Sequence, residues 1–319
     1  MKINFVKCHG SENDFILINN LDASLNLSDT ELAHWAKCLC NRTYSIGADG
    51  ILLLLPSTTA DARMRIFNAD GSEPEMCGNG IRCLARLAIQ QLKKNPIQIE
   101  TKTSRIQVSQ ENDIAQNVFS FNARLQNVSF ISDDFNLISP NKQPFINKPI
   151  SLLSSDLRFT AVSFGNPHIV SLVNHIDKNL LEQLGKMANI NGTIFPNGAN
   201  VSFFRFISPQ SIYVITYERG VGITYACGTA MSAASLLSCI LNLNQFGTWI
   251  HVFNEGGMVK CLPNQSNESY SVDLLGNATF VYEGTLDYAN GVVKEISKTK
   301  EFYDEIAAYE RMKKSFRES

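Results

Sequence analysis

From Gly228 to Leu243 the chain reads GTAMSAASLLSCILNL and carries no charged residue. A helix that is apolar or small on every side is buried on every side. This one is too short, and too rich in Ser and Ala, to prefer lipid. It has to run through the interior of something, and the flanking sequence says what. Strand-like runs precede it at 201–207 and 211–217 and follow it at 249–253, 257–262, 269–274 and 278–283. The expectation is a helix inside a shell built of strands.

The layout occurs twice. ILLLL (51–55) and RMRIF (63–67) read as strands, and an apolar helix runs from about Asn79 to Lys93, with Arg82 and Arg86 as its charged exceptions. Further strand-like runs lie at 97–101, 105–109 and 117–121, and a later series begins at 158–164 and 168–173. Cys227 follows Cys77 by 150 residues, and nine residues before each stand Glu218, after ITY, and Asn68, after RIF. Each block runs strand, Gly-containing loop, Cys-Gly, helix, and the matched spacing points to an internal duplication. Two lesser helices are legible. Ser28 and Glu31 have capping-box spacing ahead of a face of Leu32, Trp35, Ala36 and Leu39, and DKNLLEQLGKMA (177–188) has helical periodicity.

Composition narrows the function. Of 319 residues 44% are hydrophobic and 18% charged, which favours a large core over disorder. A formal net charge of −2 gives no electrostatic case for nucleic acid or an anionic membrane. No run reaches the roughly 18 apolar residues of a membrane span. Gly10-Ser11-Glu12-Asn13-Asp14 would interrupt a signal-peptide core, so a cytoplasmic protein is expected. Eight cysteines without a CxxC pair suggest neither a disulfide framework nor a metal ribbon, and no metal site is expected. Cys8, Cys38, Cys40, Cys83, Cys239 and Cys261 read as inert core thiols.

Cys77 and Cys227 are different, because each stands where a loop becomes a buried helix. Backbone N–H groups in a first helical turn have no intrahelical partner and favour anions. A thiol placed there has its pKa lowered. The glycines of Cys77-Gly78-Asn79 and Cys227-Gly228-Thr229 let a ligand approach the backbone. Two such thiols in matched halves suit one reaction in particular. One, as thiolate, takes a proton from a carbon while the other, still protonated, delivers one to the opposite face. The charge that spreads onto an amino acid's α-carboxylate would be met by helix-start N–H groups, without metal or other cofactor.

These residues resemble the diaminopimelate epimerases, amino-acid epimerases that work without pyridoxal phosphate. The resemblance runs through HGSENDFILI (9–18), GADG (47–50), RIFNADGSEPEMCGNGIRC (65–83), GNPH (165–168), FPNGANVSF (195–203), YERGVGITYACGTA (217–230) and VYEGTL (281–286). It implies an α+β fold of two pseudo-symmetric halves, each an antiparallel barrel-like sheet around a central apolar helix. Residues 1–122 with 276–287 would form one half and 123–275 the other. It implies Cys77 and Cys227 as the acid/base pair, with His168 and Glu218 beside the reacting centre tuning the thiols. Gly78, Asn79, Gly228 and Thr229 would hold the α-carboxylate, and Asn13, Asn68, Asn166, Asn200 and Arg219 the far end of the substrate. The activity implied is interconversion of L,L- and meso-diaminopimelate for lysine and peptidoglycan precursors. A guanidinium for the far carboxylate and amide oxygens for the far ammonium fit that substrate.

Other readings stay open at this stage. A racemase of another amino acid, such as histidine or hydroxyproline, could use the same scaffold, but would not need the far-end set. A cysteine hydrolase would not need a second Cys-Gly block, and an inactive binding protein would be expected to have lost a thiol. Asn68 in FNADG is equally a turn residue, His168 could cap a turn, and Arg219 could be an ordinary loop residue.

The sequence departs from the family pattern in several places. Ile223 stands where a glutamate is usual and Ala230 where a glycine is. GSEND replaces the commoner Gly-Leu-Gly-Asn-Asp. Residues 288–319 continue past the usual end at Leu286, with many charges and with Phe302, Ile306, Tyr309 and Phe316 near one helical face. This extension reads as a solvated helix lying loosely on the surface, with docking of a second subunit, a homodimer, as the other reading.

Overall fold

The structure, a computed structural model, describes residues 2–126, 128–190, 192–267, 269–289 and 292–317. It falls into two compact units, one of residues 1–123 with 275–319 and one of residues 124–274.

In the first unit, strand Lys2–Gly10 pairs antiparallel with Asn13–Asn19, which pairs parallel with Gly50–Leu55. Gly50–Leu55 pairs antiparallel with Ala62–Asn68, that strand parallel with Ile97–Glu100, and that one antiparallel with Arg105–Glu111. The second unit repeats this order and sense. Ser154–Ser163 is antiparallel to Pro167–Leu172, which is parallel to Asn200–Ser208, antiparallel in turn to Ser211–Glu218. Ser211–Glu218 is parallel to Ile250–Asn254, and that strand antiparallel to Gly257–Ser266. Corresponding strands lie about 150 residues apart throughout. The parallel pairs fall where a helix makes the connection, as parallel neighbours require. Asp29–Leu39 and Gly78–Leu92 serve the first unit, and Lys178–Ala188 and Gly228–Ile240 the second.

The two apolar helices are the cores of their units. Gly78–Leu92 is buried continuously from Gly78 to Ile89, and Gly228–Ile240 from Gly228 to Cys239. The second tolerates three serines because each hydroxyl donates to a carbonyl one turn back: Ser232 to Gly228 (2.9 Å), Ser235 to Ser232 (2.8 Å) and Ser238 to Ser235 (2.7 Å). The first tolerates Arg82 for a related reason. Its guanidinium donates to Gly78 O (2.9 Å), Asn79 Oδ1 (3.0 Å) and Asn277 O (3.2 Å). It fills the space above Gly276, where a Cβ would come within 2.9 Å of it. The outer helices cover the other side of each sheet. Trp35, Ala36 and Leu39 pack on Ile16, Ile18 and Ile51. Leu181, Leu184 and Ala188 pack with Phe195, Val201 and Phe203. Ser28 caps Asp29–Leu39 in the box its spacing announced.

The C-terminal extension corrects the expectation of a loosely attached helix. Its first part is a strand, Val292–Glu301, antiparallel to Thr279–Ala289. Three Lys and two Glu are interspersed there with Val, Ile, Ser and Thr, the composition of a charged edge strand. Only Tyr303–Arg317 is helical, and Phe302 precedes it. That helix is tied down. Ala308, Tyr309 and Met312 are buried against Val118, and Glu305 makes a two-pronged pair with Arg86 (2.6 and 2.7 Å). Glu305 also accepts from Phe280 N–H (3.1 Å), while Arg86 donates to Ala278 O (2.7 Å) and lies over the Phe280 ring at 3.8 Å. The aromatic face read from the sequence is present, but it faces protein. Removing one partner of a buried pair leaves a charge without compensation. Glu305→Ala is therefore expected to cost about 3 kcal/mol in denaturant unfolding.

Candidate active site

Each unit carries one cysteine at the N-cap of its buried helix. Cys77 has extended φ/ψ (−138°, 115°), and its Sγ accepts the Gly80 N–H at 3.4 Å. The first intrahelical bond runs from Ile81 N to Cys77 O (2.9 Å), so residues 78 and 79 form the turn whose N–H groups precede the helical ladder. Cys227 has the same backbone form (−113°, 111°), with Met231 N bonded to Cys227 O at 3.0 Å. Its sulfur lies 3.5 Å from Thr229 Oγ1. Cys77 is half-buried and Cys227 buried.

An asparagine accompanies each thiol. Asn13 Oδ1 accepts from the Cys77 thiol (3.6 Å) and from Asn79 Nδ2 (3.3 Å). Asn166 Nδ2 donates to Thr229 Oγ1 (3.3 Å), and the same hydroxyl meets Cys227 Sγ in a bond that either atom can donate. The two asparagines hold equivalent places. Phe15 pairs with Gly50 as His168 pairs with Asn200, so Asn13 and Asn166 each stand two residues before the matching position. The resemblance placed them around the far end of the substrate. In the structure each lies against the helix start of its own unit.

Sequence reasoning missed how Asn13 is held. Asp49 Oδ2 accepts from Asn13 Nδ2 (2.8 Å) and Asp14 N (3.0 Å), which turns the Asn13 amide oxygen toward the sulfur. Arg42 braces the arrangement by donating to Asp49 Oδ1 (2.8 Å) and to both oxygens of Asp14 (2.7 and 3.1 Å). Lys7 Nζ adds a bond to Asp14 at 2.6 Å. Burial pushes the Asp14 carboxyl up, but Arg42 and Lys7 outweigh it and hold the group at about 2. GADG contained the signal, but the partner is 36 residues away in the chain.

In the second unit His168 plays the bracing part. Its Nε2 lies 3.1 Å from Asn166 Oδ1; an amide oxygen only accepts, so Nε2 carries the proton. Nδ1 is buried without a protein partner. Burial, with the Arg219 charge, pushes His168 down to about 3, so the ring is neutral at working pH. It reaches Cys227 only through Asn166 and Thr229. Glu218 accepts from the Thr224 hydroxyl (2.5 Å) across the short turn that leads to Cys227. Asn200 Oδ1 accepts from Arg219 N (2.8 Å), and the Arg219 guanidinium donates to Asn197 O (2.8 Å). Asn68 donates to Ser72 Oγ (3.0 Å), the turn role open to it from its sequence. Ile223, the departure from the usual glutamate, pairs with Tyr217 in the ladder and packs on the core of its unit. Among the described residues no group of three His, Cys, Asp or Glu side chains could hold a metal.

The His168 geometry fixes a pH dependence. Its folded pKa lies below the unfolded value, so the stabilisation of the neutral ring is complete above about pH 6.5. It is lost as pH falls toward 3, by roughly 1.4 kcal/mol per pH unit for one group. Unfolding free energies from urea titrations between pH 7.5 and 4.5 should fall by at least this slope, with His9, also pushed down by burial to about 4, adding in the same sense, and His168→Gln should remove its own share.

Comparison with known proteins gives the family. The family profile described as diaminopimelate epimerase matches residues 5–121 and 160–281. A diaminopimelate epimerase of Clostridium acetobutylicum is 43% identical, covering 98% of this chain and 96% of that protein. One of Listeria innocua is 36% identical, covering 99% and 97%. The extension is thus within the length these relatives share. Among solved structures, a hydroxyproline epimerase of Agrobacterium vitis has a TM-score of 0.62 at 14% identity, covering 89% of this chain and 90% of that one. A phenazine biosynthesis protein of the PhzF family from Bacillus anthracis has 0.62 at 17%, covering 90% and 100%. These two show the fold, α+β with a repeated half. By profile, by identity and by coverage, the chain belongs to the diaminopimelate epimerase family.

Proposed function

We propose that the chain interconverts L,L- and meso-diaminopimelate with Cys77 and Cys227 as opposed acid/base groups. The observation that carries the reading is the repeated construction. Each unit presents one thiol at the N-cap of its buried helix, with an asparagine beside that helix start. One such thiol would suit nucleophilic chemistry, whereas two suit inversion at a carbon.

In this reading one sulfur is thiolate and takes the α-proton. The C–H electron pair stays on the carbon and delocalises into the α-carboxylate. The other sulfur, protonated, gives its proton to the opposite face, and the two thiols end with their protonation states exchanged. N–H groups of residues 78–79 and 228–229 hold the α-carboxylate where the charge grows. A sulfur between one donor and one acceptor can hold either charge state, and Cys77 sits between Gly80 N–H and Asn13 Oδ1 in this way. Asn68, Asn200 and Arg219 bind the distal amino-acid head, with Arg219 supplying the cation for its carboxylate. His168 acts as a neutral brace for Asn166, and Glu218 as an anchor for the turn before Cys227. A cytoplasmic setting agrees with chemistry that needs two reduced thiols.

The test is α-proton exchange of L,L-diaminopimelate in deuterated water. Cys77→Ala and Cys227→Ala should each lose roughly 10²–10⁴-fold or more in turnover. Near-normal turnover in either variant would remove the two-thiol reading.

A further inference from the structure

Strands Lys2–Gly10 and Asn13–Asn19 are joined by a loop of two residues, Ser11 and Glu12, with Gly10 paired to Asn13. Both loop residues have positive φ, +53° and +65°. That is the primed turn a tight hairpin prefers, normally built from Asn-Gly because side chains are strained there. Such conformations persist only when the surroundings over-determine them, and here the surroundings include the C-terminal helix. Lys313 Nζ forms an ion pair with the Glu12 carboxylate, and both side chains are largely buried, 13% and 29% exposed. Tyr309 sets its ring edge-on against His9 at 4.7 Å, and His9 Nδ1 accepts from Glu12 N–H (3.3 Å). From below, Asn277 accepts from Ser11 N–H (2.8 Å). The residue that follows this turn is Asn13, whose amide oxygen contacts the Cys77 sulfur.

We propose that Lys313 and Tyr309 are positioning residues for Cys77, acting through the Ser11–Glu12 turn and Asn13. The inference rests on the reading of Cys77 as an acid/base group. Two features far apart in the chain thereby meet: a side chain in a turn position suited to glycine, and a C-terminal helix that supplies the cation to hold that side chain. Asp49 fixes Asn13 from one side, and the tethered turn fixes it from the other.

The experiment uses the full chain and three variants, Lys313→Met, Glu12→Gly and the double variant. It measures kcat and KM on L,L-diaminopimelate and the rate at which iodoacetamide alkylates Cys77. Lys313→Met should lower kcat about tenfold, with KM within about twofold, because misplacement of a group touching the reacting atom acts on turnover. Cys77 alkylation should change with it. The double variant should regain most of the lost kcat, because glycine takes the same φ without a tether. An unchanged kcat in Lys313→Met would overturn the proposal. So would a loss that Glu12→Gly does not restore and that follows the thermal midpoint instead, since that marks a purely structural support. Cys77→Ala separates this from the parent reading: if it is inactive while Lys313→Met is normal, only the inference falls.

Discussion

The structure depends on burying two helices along most of their length while leaving their first turns to be satisfied from outside. Burial demands that every polar group along the helix find a partner inside the protein. The serines of Gly228–Ile240 and the guanidinium of Arg82 meet that demand through neighbouring carbonyls and an amide oxygen. A first turn cannot be satisfied within its own helix. In the first unit the cysteine sulfur takes the Gly80 N–H, and in the proposed reading an α-carboxylate binds at the same helix start. Structural need and proposed chemistry thus arise from the same few atoms.

The two units share a plan and differ in how they carry it out. Position 79 is asparagine and its counterpart at 229 is threonine, and each meets the asparagine of the preceding hairpin. The brace behind that asparagine is an ionic network of Asp49, Arg42, Asp14 and Lys7 in one unit and a buried neutral imidazole in the other. The first arrangement presents an amide acceptor to its thiol and the second a hydroxyl, which can donate or accept. The repeated plan thus sets two thiols of the same kind in unlike surroundings, which suits the proposed pair of groups that begin the reaction in opposite protonation states.

What the sequence disclosed was local or periodic. The uncharged run after Cys227, the capping box at Ser28 and the repeated Cys-Gly block could be read directly, because spacing carries them. The antiparallel shell was read correctly in outline, although the helices at each crossover make two of the pairings in each unit parallel. What escaped was non-local. Asp49 reaches Asn13 across 36 residues and Lys313 reaches Glu12 across 301, and no pattern in either segment announces its partner. The extension was misread because its strand lacks the alternation that marks one in sequence and because the faces of Tyr309 and Met312 meet a loop around Val118.

The central claim is that separate groups remove and return the proton on opposite faces of one carbon. The most direct measurement is the isotope content of both isomers at the earliest turnover of L,L-diaminopimelate in deuterated water. Two thiols working in opposition predict that newly formed meso product carries deuterium at the inverted carbon while unreacted substrate keeps its proton. Product that retains the substrate's own hydrogen would mean that a single base performs both transfers, and would contradict the account.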